Sequence, residues 1–181
     1  KDKKNIFFER IKSLTDYHDG PISTLSYYVH SFLMKNISKN KFKVSISGTG
    51  ADELFTGYYD HFLLHLQTLN KTKYFEKSLK NWEKFVKPRI RNEFLKDPLI
   101  YIKNPKNRDL VYEKNFNLLK YSKIKNHNEF KENYYCDELL RNRMMNELFH
   151  EVVPVILKHD DLNSMYYSLE NRSPYLDRDL L

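Results

Sequence analysis

The residues that could bind a ligand or take part in catalysis are most concentrated in one short block, residues 47–59, with the sequence SGTGADELFTGYY. Apolar and small polar residues alternate over residues 42–47, and this pattern predicts a short strand that ends at Gly48. A helical pattern begins again at Ala51. A strand that runs through a glycine turn into a helix exposes backbone N–H groups at the carboxyl edge of a sheet, where open α/β folds bind ligands. The block is therefore a candidate phosphate site.

The glycines and the acids of this block predict different contacts. Gly48 and Gly50 lack side chains, so the backbone can approach a phosphate or a ring closely. Asp52 and Glu53 add two carboxylates within one helical turn, and hard oxygen ligands of this kind suit Mg²⁺. The same two acids are also explained as favourable charges at the positive end of a helix, with the glycines forming an ordinary turn. The spacing alone leaves both interpretations open.

The elements around this block are predicted to be mostly helical. Apolar residues recur at helical spacing over residues 23–36, 51–66, 73–94, 110–119, 129–150 and 161–169. Pro88 is expected to kink or split the third of these helices, because proline lacks a backbone donor and clashes with the preceding turn. Residues 96–106 contain two prolines and are expected to form a connector.

The single predicted strand needs partners. One strand cannot satisfy its own backbone donors and acceptors, and residues 44–47 (VSIS) are apolar enough to require cover on both faces. We therefore expect a parallel sheet whose other strands precede Lys1. On this interpretation the chain is a piece of a longer α/β domain.

Two blocks of the sequence resemble signatures of the asparagine synthetase family. Residues 47–59 are similar to the pattern S-G-x-G-x-D-E-[LV]-F-x-G-Y. Residues 161–177 (DLNSMYYSLENRSPYLD) are similar to the pattern D-R-x-S-M-x-x-S-x-E-x-R-x-P-F-L-D. The two blocks occur in the family's order. The resemblance spans residues 16–181, and its middle third matches only in helical character.

The resemblance implies a fold and a reaction. The fold is α/β, with helices flanking a parallel sheet, as in the adenine nucleotide α-hydrolase-like superfamily. The reaction uses ATP to convert a carboxylate into an acyl-adenylate with release of pyrophosphate, and ammonia then attacks to form an amide. Carried onto this chain, the nucleotide contacts are Ser47, Gly48, Thr49 and Gly50. Asp52 becomes a Mg²⁺ ligand beside the pyrophosphate.

Two glutamates are the candidate catalytic residues under this resemblance. Glu53 is expected to support the metal site, and Glu170 lies in the second block. An ion pair between Glu170 and the nearby Arg172 explains that acid equally well.

Two positions depart from the family pattern. Thr49 stands where asparagine synthetases carry a glutamate that is thought to assist the ammonia step, so the substrate is either aspartate or another acid, such as a sugar carboxylate. Leu162 stands where the family usually has a basic residue, which removes a candidate phosphate contact. The S-G-G-x-D-S pattern that supplies the other half of the ATP site does not occur in the chain. We therefore expect the 181 residues alone not to catalyse ligation.

The expected partners also follow from the resemblance. They are a small-molecule acid, ammonia derived from glutamine, and an N-terminal glutaminase domain in the full-length protein. The glutaminase nucleophile of the family is a cysteine at the chain start, whereas Cys136, the only cysteine, lies mid-chain in a predicted helix. We assign residues 1–181 to the C-terminal portion of a synthetase-like domain. A homodimer is left open.

Composition limits the other classes of protein. The chain carries a net charge of +7, but its lysines are scattered, so we expect no nucleic-acid partner. No run of about 18 apolar residues occurs, and a cytoplasmic protein without a membrane partner is expected. The second hypothesis for function is a non-catalytic binding or scaffold relative, in which Thr49 and Leu162 mark lost activity.

Overall fold

The computed structural model describes residues 4–107 and 131–180 and shows a mostly helical chain with two short strands. The elements in chain order are α1 (Lys4–His18), α2 (Leu25–Lys39), β1 (Val44–Ile46), α3 (Ala51–Phe55), α4 (Tyr59–Leu69), α5 (Phe75–Phe85), 3₁₀ turns at Lys87–Arg89 and Glu93–Lys96, α6 (Ile100–Lys103), α7 (Leu139–Asn146), a π-helical turn (Glu147–Glu151), α8 (Val153–Met165), β2 (Glu170–Arg172) and a 3₁₀ turn (Pro174–Leu176). The predicted α/β class and the predicted strand are confirmed.

The chain divides into two compact units. The sheet unit consists of Lys1–Leu54 and Glu147–Leu181, and the helical unit consists of Phe55–Asn146. Every predicted site residue belongs to the sheet unit. Among the described residues, none of the helices combines the length and the apolar character that a membrane span needs.

The two strands of the sheet unit pair in parallel. Val44 lies opposite Glu170 and Ile46 lies opposite Arg172. Two backbone hydrogen bonds extend the ladder beyond these pairs, from Glu170 N–H to the Lys43 carbonyl (2.9 Å) and from Ser47 N–H to the Arg172 carbonyl (2.8 Å). The chain thus supplies one partner of β1, and the expectation that all its partners precede Lys1 is wrong. The sequence of β2, Glu-Asn-Arg, has no apolar alternation and gave no strand signal.

Two of the predicted helices are interrupted. The helix predicted over residues 51–66 is two helices, α3 and α4, and Thr56 adopts a positive φ of 68° between them. A β-branched residue in this conformation is rare and breaks the helical path. The helix predicted over residues 73–94 ends at Phe85, and Pro88 lies in the following 3₁₀ turn, which confirms the predicted split.

The helix predicted over residues 129–150 is shorter than expected. Residues 131–136 are not helical, so Cys136 lies in an irregular segment before α7 rather than in a helix. Two asparagine side chains of α7 accept 2.8 Å hydrogen bonds from this segment: Asn146 from the N–H of Asn133, and Asn142 from the N–H of Tyr135. Side chains that bind the backbone in this way compete with helix formation.

Three other sequence predictions concern the helices predicted over residues 110–119 and 161–169 and the connector predicted over residues 96–106. The helix predicted over residues 161–169 corresponds to the last part of the longer α8, which has Pro154 in its first turn and ends at Met165. The predicted connector over residues 96–106 contains the short helix α6. The helix predicted over residues 110–119 lies outside the described residues.

The helical unit has an apolar core. Leu63, Leu64 and Leu66 of α4 are almost fully buried, and they pack with Trp82 of α5 and with two further buried side chains, Ile90 and Tyr101. Each fully buried side chain of this size contributes about 1.5–3 kcal/mol to stability. This core explains why the middle of the chain forms a unit of its own.

The sheet unit has a more polar interior. Helix α8 packs against α1, α2 and β2. Its inward face buries polar side chains rather than an apolar stripe, namely His159, Asp160, Asn163 and Ser164. Buried polar groups cost free energy unless they form hydrogen bonds, so this interior depends on its bonding partners.

Gly50 connects the glycine turn to the end of the second block. Its φ is +94°, a region that residues with a side chain rarely adopt. A Cβ built on Gly50 would lie 2.5 Å from Cδ2 and 2.9 Å from Cγ of Leu176. Gly50 is therefore required for backbone conformation and for close packing. At Gly48, by contrast, a Cβ would meet no atom within 4 Å.

We predict that Gly50→Ala destabilises the sheet unit. The strained backbone alone costs about 1–3 kcal/mol, and the displacement of Leu176 adds to this cost. Gly48→Ala is the matched control, and we expect it to change stability by less than about 1 kcal/mol, because its Cβ enters open space. The measurement is urea unfolding of both variants followed by circular dichroism. Equal losses in the two variants would contradict the packing role of Gly50.

Candidate functional site

The parallel pairing of β1 and β2 brings the two sequence blocks together. Because parallel strands end at the same edge of a sheet, the residues that follow them become neighbours. Ser47 follows β1 and Ser173 follows β2, and their Oγ atoms lie 3.0 Å apart. One residue pair earlier, the Ser45 hydroxyl donates to Asn171 Oδ1 at 2.8 Å. The candidate site is therefore the carboxyl edge of this two-stranded sheet.

The turn after β1 has the properties of an anion site. Gly48 is exposed, and Thr49 and Ser47 are half-buried. Within the described part of the chain, the N–H groups of Gly48, Thr49 and Gly50 have no hydrogen-bond acceptor, whereas Ala51 N–H donates to the Gly48 carbonyl at 3.1 Å. Consecutive unpaired N–H groups in a turn form a concave site for negative charge. The predicted nucleotide contacts at residues 47–50 fit this arrangement and stay predictions.

The two acids of the first block lie in different environments. Asp52 is exposed in the first turn of α3 and forms no ion pair with any residue that the structure describes. Glu53 is buried, with 3% of its surface exposed. Adjacent helical residues point in directions about 100° apart, so one acid faces solvent and the other faces the interior. Asp52 is the acid that a solvent-borne cation can reach, and its role as a metal ligand stays a prediction.

Glu170 is held by Arg172. The Arg172 Nε donates to Glu170 Oε1 at 2.7 Å, and both side chains are exposed at the start and end of β2. This hydrogen bond and the positive charge of Arg172 lower the pKa of Glu170. A carboxylate with a lowered pKa is a weak base near neutral pH. The geometry favours the ion-pair interpretation, and a catalytic role for Glu170 stays a prediction.

The structure adds a residue that the sequence patterns missed, Asp160. The Thr49 hydroxyl donates to Asp160 Oδ2 at 3.2 Å, and His30 Nδ1 lies 3.3 Å from Asp160 Oδ1. Asp160 is 7% exposed, whereas its neighbour Asp161, the acid of the family pattern, is exposed. Adjacent helical residues point in directions about 100° apart, and packing decides that Asp160 is the buried acid of the two.

Burial raises the pKa of Asp160, because the interior disfavours the charged form. His30, the hydrogen bond from Thr49 and His159 oppose this rise, in that order. The result is a buried carboxyl group that binds a proton more readily than an exposed one.

Two buried histidines, His18 of α1 and His159 of α8, lie close together. The rings of His18 and His159 are 5.6 Å apart, and Tyr27 stacks on His159 at 4.3 Å. His159 Nε2 contacts the Ser23 hydroxyl. Burial lowers the pKa of both histidines, followed by the charge of His159 for His18 and by that of Lys158 for His159.

The fold and the site define a helix-rich α/β protein with a candidate anion site at the carboxyl edge of a parallel sheet. The model of the asparagine synthase family matches residues 3–181, so the chain belongs to this family of ATP-dependent amide-forming ligases. No curated protein and no solved structure gives a significant match.

We predict that Asp160 makes stability depend on pH. Its pKa in the folded protein exceeds the reference value of 3.8, so the folded state binds the proton more tightly than the unfolded state. As pH rises from that value through the folded pKa, wild-type protein should lose stability relative to Asp160→Asn. The loss is about 1.4 kcal/mol for each pH unit that separates the two pKa values.

The measurement is the free energy of urea unfolding of both proteins across this range of pH. Asp161→Asn is the control, since it removes a charge from the exposed face of the same helix, and we expect a change below about 0.5 kcal/mol. A stability difference between wild type and Asp160→Asn that does not vary with pH would show that Asp160 is not perturbed by burial.

Proposed function

We propose that the protein adenylates the carboxylate of a small acid with ATP and transfers ammonia from glutamine to it. The observation that carries this proposal is the junction of the two sequence blocks at one sheet edge, where Ser47 lies beside Ser173. The second half of the ATP site and the glutaminase domain are proposed to lie outside residues 1–181. The proposed activity is therefore that of a longer protein.

The turn at the sheet edge is proposed to hold the nucleotide. The N–H groups of Gly48, Thr49 and Gly50 lack acceptors in the described part of the chain, and such groups stabilise the negative charge of phosphate oxygens. Gly48 leaves open space in front of the turn. Gly50 is proposed to contribute its N–H group. The other side of this residue is closed by Leu176, which occupies the space that a Cβ on Gly50 would need.

Asp52 is proposed to hold Mg²⁺. Its carboxylate is exposed next to the turn, and oxygen ligands of this type are those that Mg²⁺ prefers. Mg²⁺ bound there would neutralise part of the charge on the departing pyrophosphate. Glu53 is proposed to support α3 from its buried side.

We predict that Asp52→Asn in the full-length protein lowers acid-dependent pyrophosphate release by about 100-fold or more, because a charge-stabilising group is lost from the site. The second readout is the affinity of the protein for Mn²⁺ in the presence of a non-hydrolysable ATP analogue, measured by electron paramagnetic resonance. This affinity should fall in parallel.

Glu76→Gln is the matched control for Asp52→Asn. Glu76 is also an exposed acid in the first turn of a helix, α5, but it lies in the helical unit. If Asp52 only complements the helix dipole, both variants should lose about 0.3–1 kcal/mol of stability and neither should lose activity. Retention of pyrophosphate release by Asp52→Asn would remove the metal assignment.

The substrate is proposed to be an acid other than aspartate, because Thr49 replaces the glutamate that asparagine synthetases carry. We predict that a uronic acid supports pyrophosphate release from ATP by the full-length protein about tenfold better than aspartate, compared as kcat/KM. The measurement is a coupled pyrophosphate assay over a panel of carboxylic acids. A clear preference for aspartate would identify an asparagine synthetase despite Thr49.

We also propose a cytoplasmic location, where ATP and glutamine are supplied, and neither a nucleic-acid nor a membrane partner. The scattered lysines argue against a nucleic-acid partner, because nucleic-acid binding requires basic groups clustered on one surface.

A further inference from the structure

A continuous row of hydroxyl groups connects the sheet edge to the buried carboxyl group of Asp160. Ser173 Oγ lies 3.0 Å from Ser47 Oγ, Ser47 Oγ lies 3.1 Å from Thr49 Oγ1, and Thr49 Oγ1 lies 3.2 Å from Asp160 Oδ2. All four residues belong to the sheet unit. We call these four residues the hydroxyl row.

The charge of Asp160 sets the direction of the hydrogen bonds along the row, and the Arg172 carbonyl is a second, more distant acceptor for the Ser47 hydroxyl at 3.5 Å. An ionised carboxylate only accepts, so Thr49 must donate its single proton to Asp160. Thr49 then accepts from Ser47, and Ser47 accepts from Ser173. The outer hydroxyls of Ser47 and Ser173 are left with free lone pairs at the open end beside Gly48. With Asp160 ionised, the hydroxyls of Ser47 and Ser173 therefore accept hydrogen bonds from a ligand and donate none to it, and the N–H groups of the turn remain the donors.

A proton on Asp160 reverses the row. The protonated carboxyl group donates to Thr49, Thr49 donates to Ser47, and the last hydroxyl has a proton to offer to a ligand. The protonation state of Asp160 thus decides whether the serine hydroxyls at the sheet edge accept a hydrogen bond from a ligand or donate one to it.

We propose that the hydroxyl row is a proton relay, which takes a proton from the nitrogen that attacks the activated carboxylate and delivers it to Asp160. This inference rests on the proposed function. The attacking nitrogen forms a C–N bond to the carboxyl carbon, and AMP leaves with the electron pair of the broken C–O bond. One N–H bond of that nitrogen breaks, and its electron pair stays on nitrogen. Each hydroxyl passes one proton inward and receives another, and an O–H bond forms at Asp160 Oδ2. The reversed row then donates hydrogen bonds to the carbonyl oxygen of the substrate, which gains negative charge when the nitrogen attacks.

The surroundings of Asp160 suit a proton acceptor. His30 and Tyr27 face it from α2, Thr49 faces it from the turn, and His159 precedes it on α8. Burial raises its pKa, and a base works best when its pKa lies close to the working pH. The side chain of His30 is 27% exposed, and its Nδ1 lies 3.3 Å from the second carboxyl oxygen without forming a hydrogen bond, so His30 acts on Asp160 through its charge.

A purely structural explanation makes a different prediction. If Thr49 only satisfies a buried carboxylate, one hydrogen bond is sufficient and the protonation state of Asp160 has no effect on amide formation. Asp160 touches no substrate in the relay, because it receives the proton only through Thr49. The test therefore needs a readout that a structural role would not change.

The experiment compares wild type, Thr49→Val, Thr49→Ser and Asp160→Asn in the full-length protein. The readout is the amount of amide formed per pyrophosphate released, measured as a function of pH with ammonia as the nitrogen source. We expect this ratio to fall about 10- to 100-fold in Thr49→Val and in Asp160→Asn, and to lose its pH dependence in both. Thr49→Ser keeps the hydroxyl and should retain most of the ratio.

A second readout does not depend on activity. The titration of the Asp160 carboxyl group is followed by carbon-13 NMR in each protein that retains it. Because the hydrogen bond from Thr49 lowers this pKa, Thr49→Val should raise it further, and Thr49→Ser should leave it near the wild-type value. Thermal unfolding checks that each variant is folded. If Thr49→Val does not fold, the amide-to-pyrophosphate ratio of Asp160→Asn still tests the relay.

Each failure has a distinct signature. If wild type releases no pyrophosphate with any acid, the proposed function is wrong and the relay falls with it. If wild type forms amide but the ratio and its pH profile are the same in Thr49→Val and in Asp160→Asn, only the relay is wrong. An Asp160 pKa that does not respond to Thr49→Val would show that the row is not connected in solution, which also overturns the relay.

Discussion

The parallel pairing of β1 with β2 is the interaction on which the candidate site depends. The paired residues are separated by 126 positions in the sequence, yet the pairing sets Ser47 beside Ser173 at one edge. Each strand has three residues and offers few hydrogen bonds, so the pairing depends on α8, which packs against β2. Closing so long a connection costs only slightly more entropy than closing a shorter one, because this cost grows with the logarithm of length.

The polar interior of the sheet unit links stability to chemistry. Transfer of a carboxylate from water to a buried position costs several kcal/mol, and Thr49 and His30 offset part of this cost at Asp160. The same desolvation makes the group a better proton acceptor. The helical unit, whose core is formed by leucines, Trp82 and other apolar side chains, carries no comparable buried acid within that core. Stability and reactivity are thus in conflict at the sheet edge.

The two glycines of the turn, Gly48 and Gly50, have different structural roles. Gly50 is confined by Leu176 and by its positive φ, so it holds the first block against the second. Gly48 meets nothing and leaves the front of the turn open. The glycine motif therefore combines two roles: Gly50 is needed for packing, and Gly48 keeps the turn accessible to a ligand.

The sequence by itself determined the family, the helix-rich α/β class, β1 and the turn after it, because alternation, glycines and motif spacing are local signals. It did not reveal β2, since Glu170–Arg172 carries no apolar alternation, and it placed an irregular segment around Cys136 in a helix. It also could not find Asp160. Which of two adjacent acids is buried, and which hydroxyl it binds, depends on how α8 packs against residues more than 100 positions away, and only the tertiary structure decides such long-range contacts.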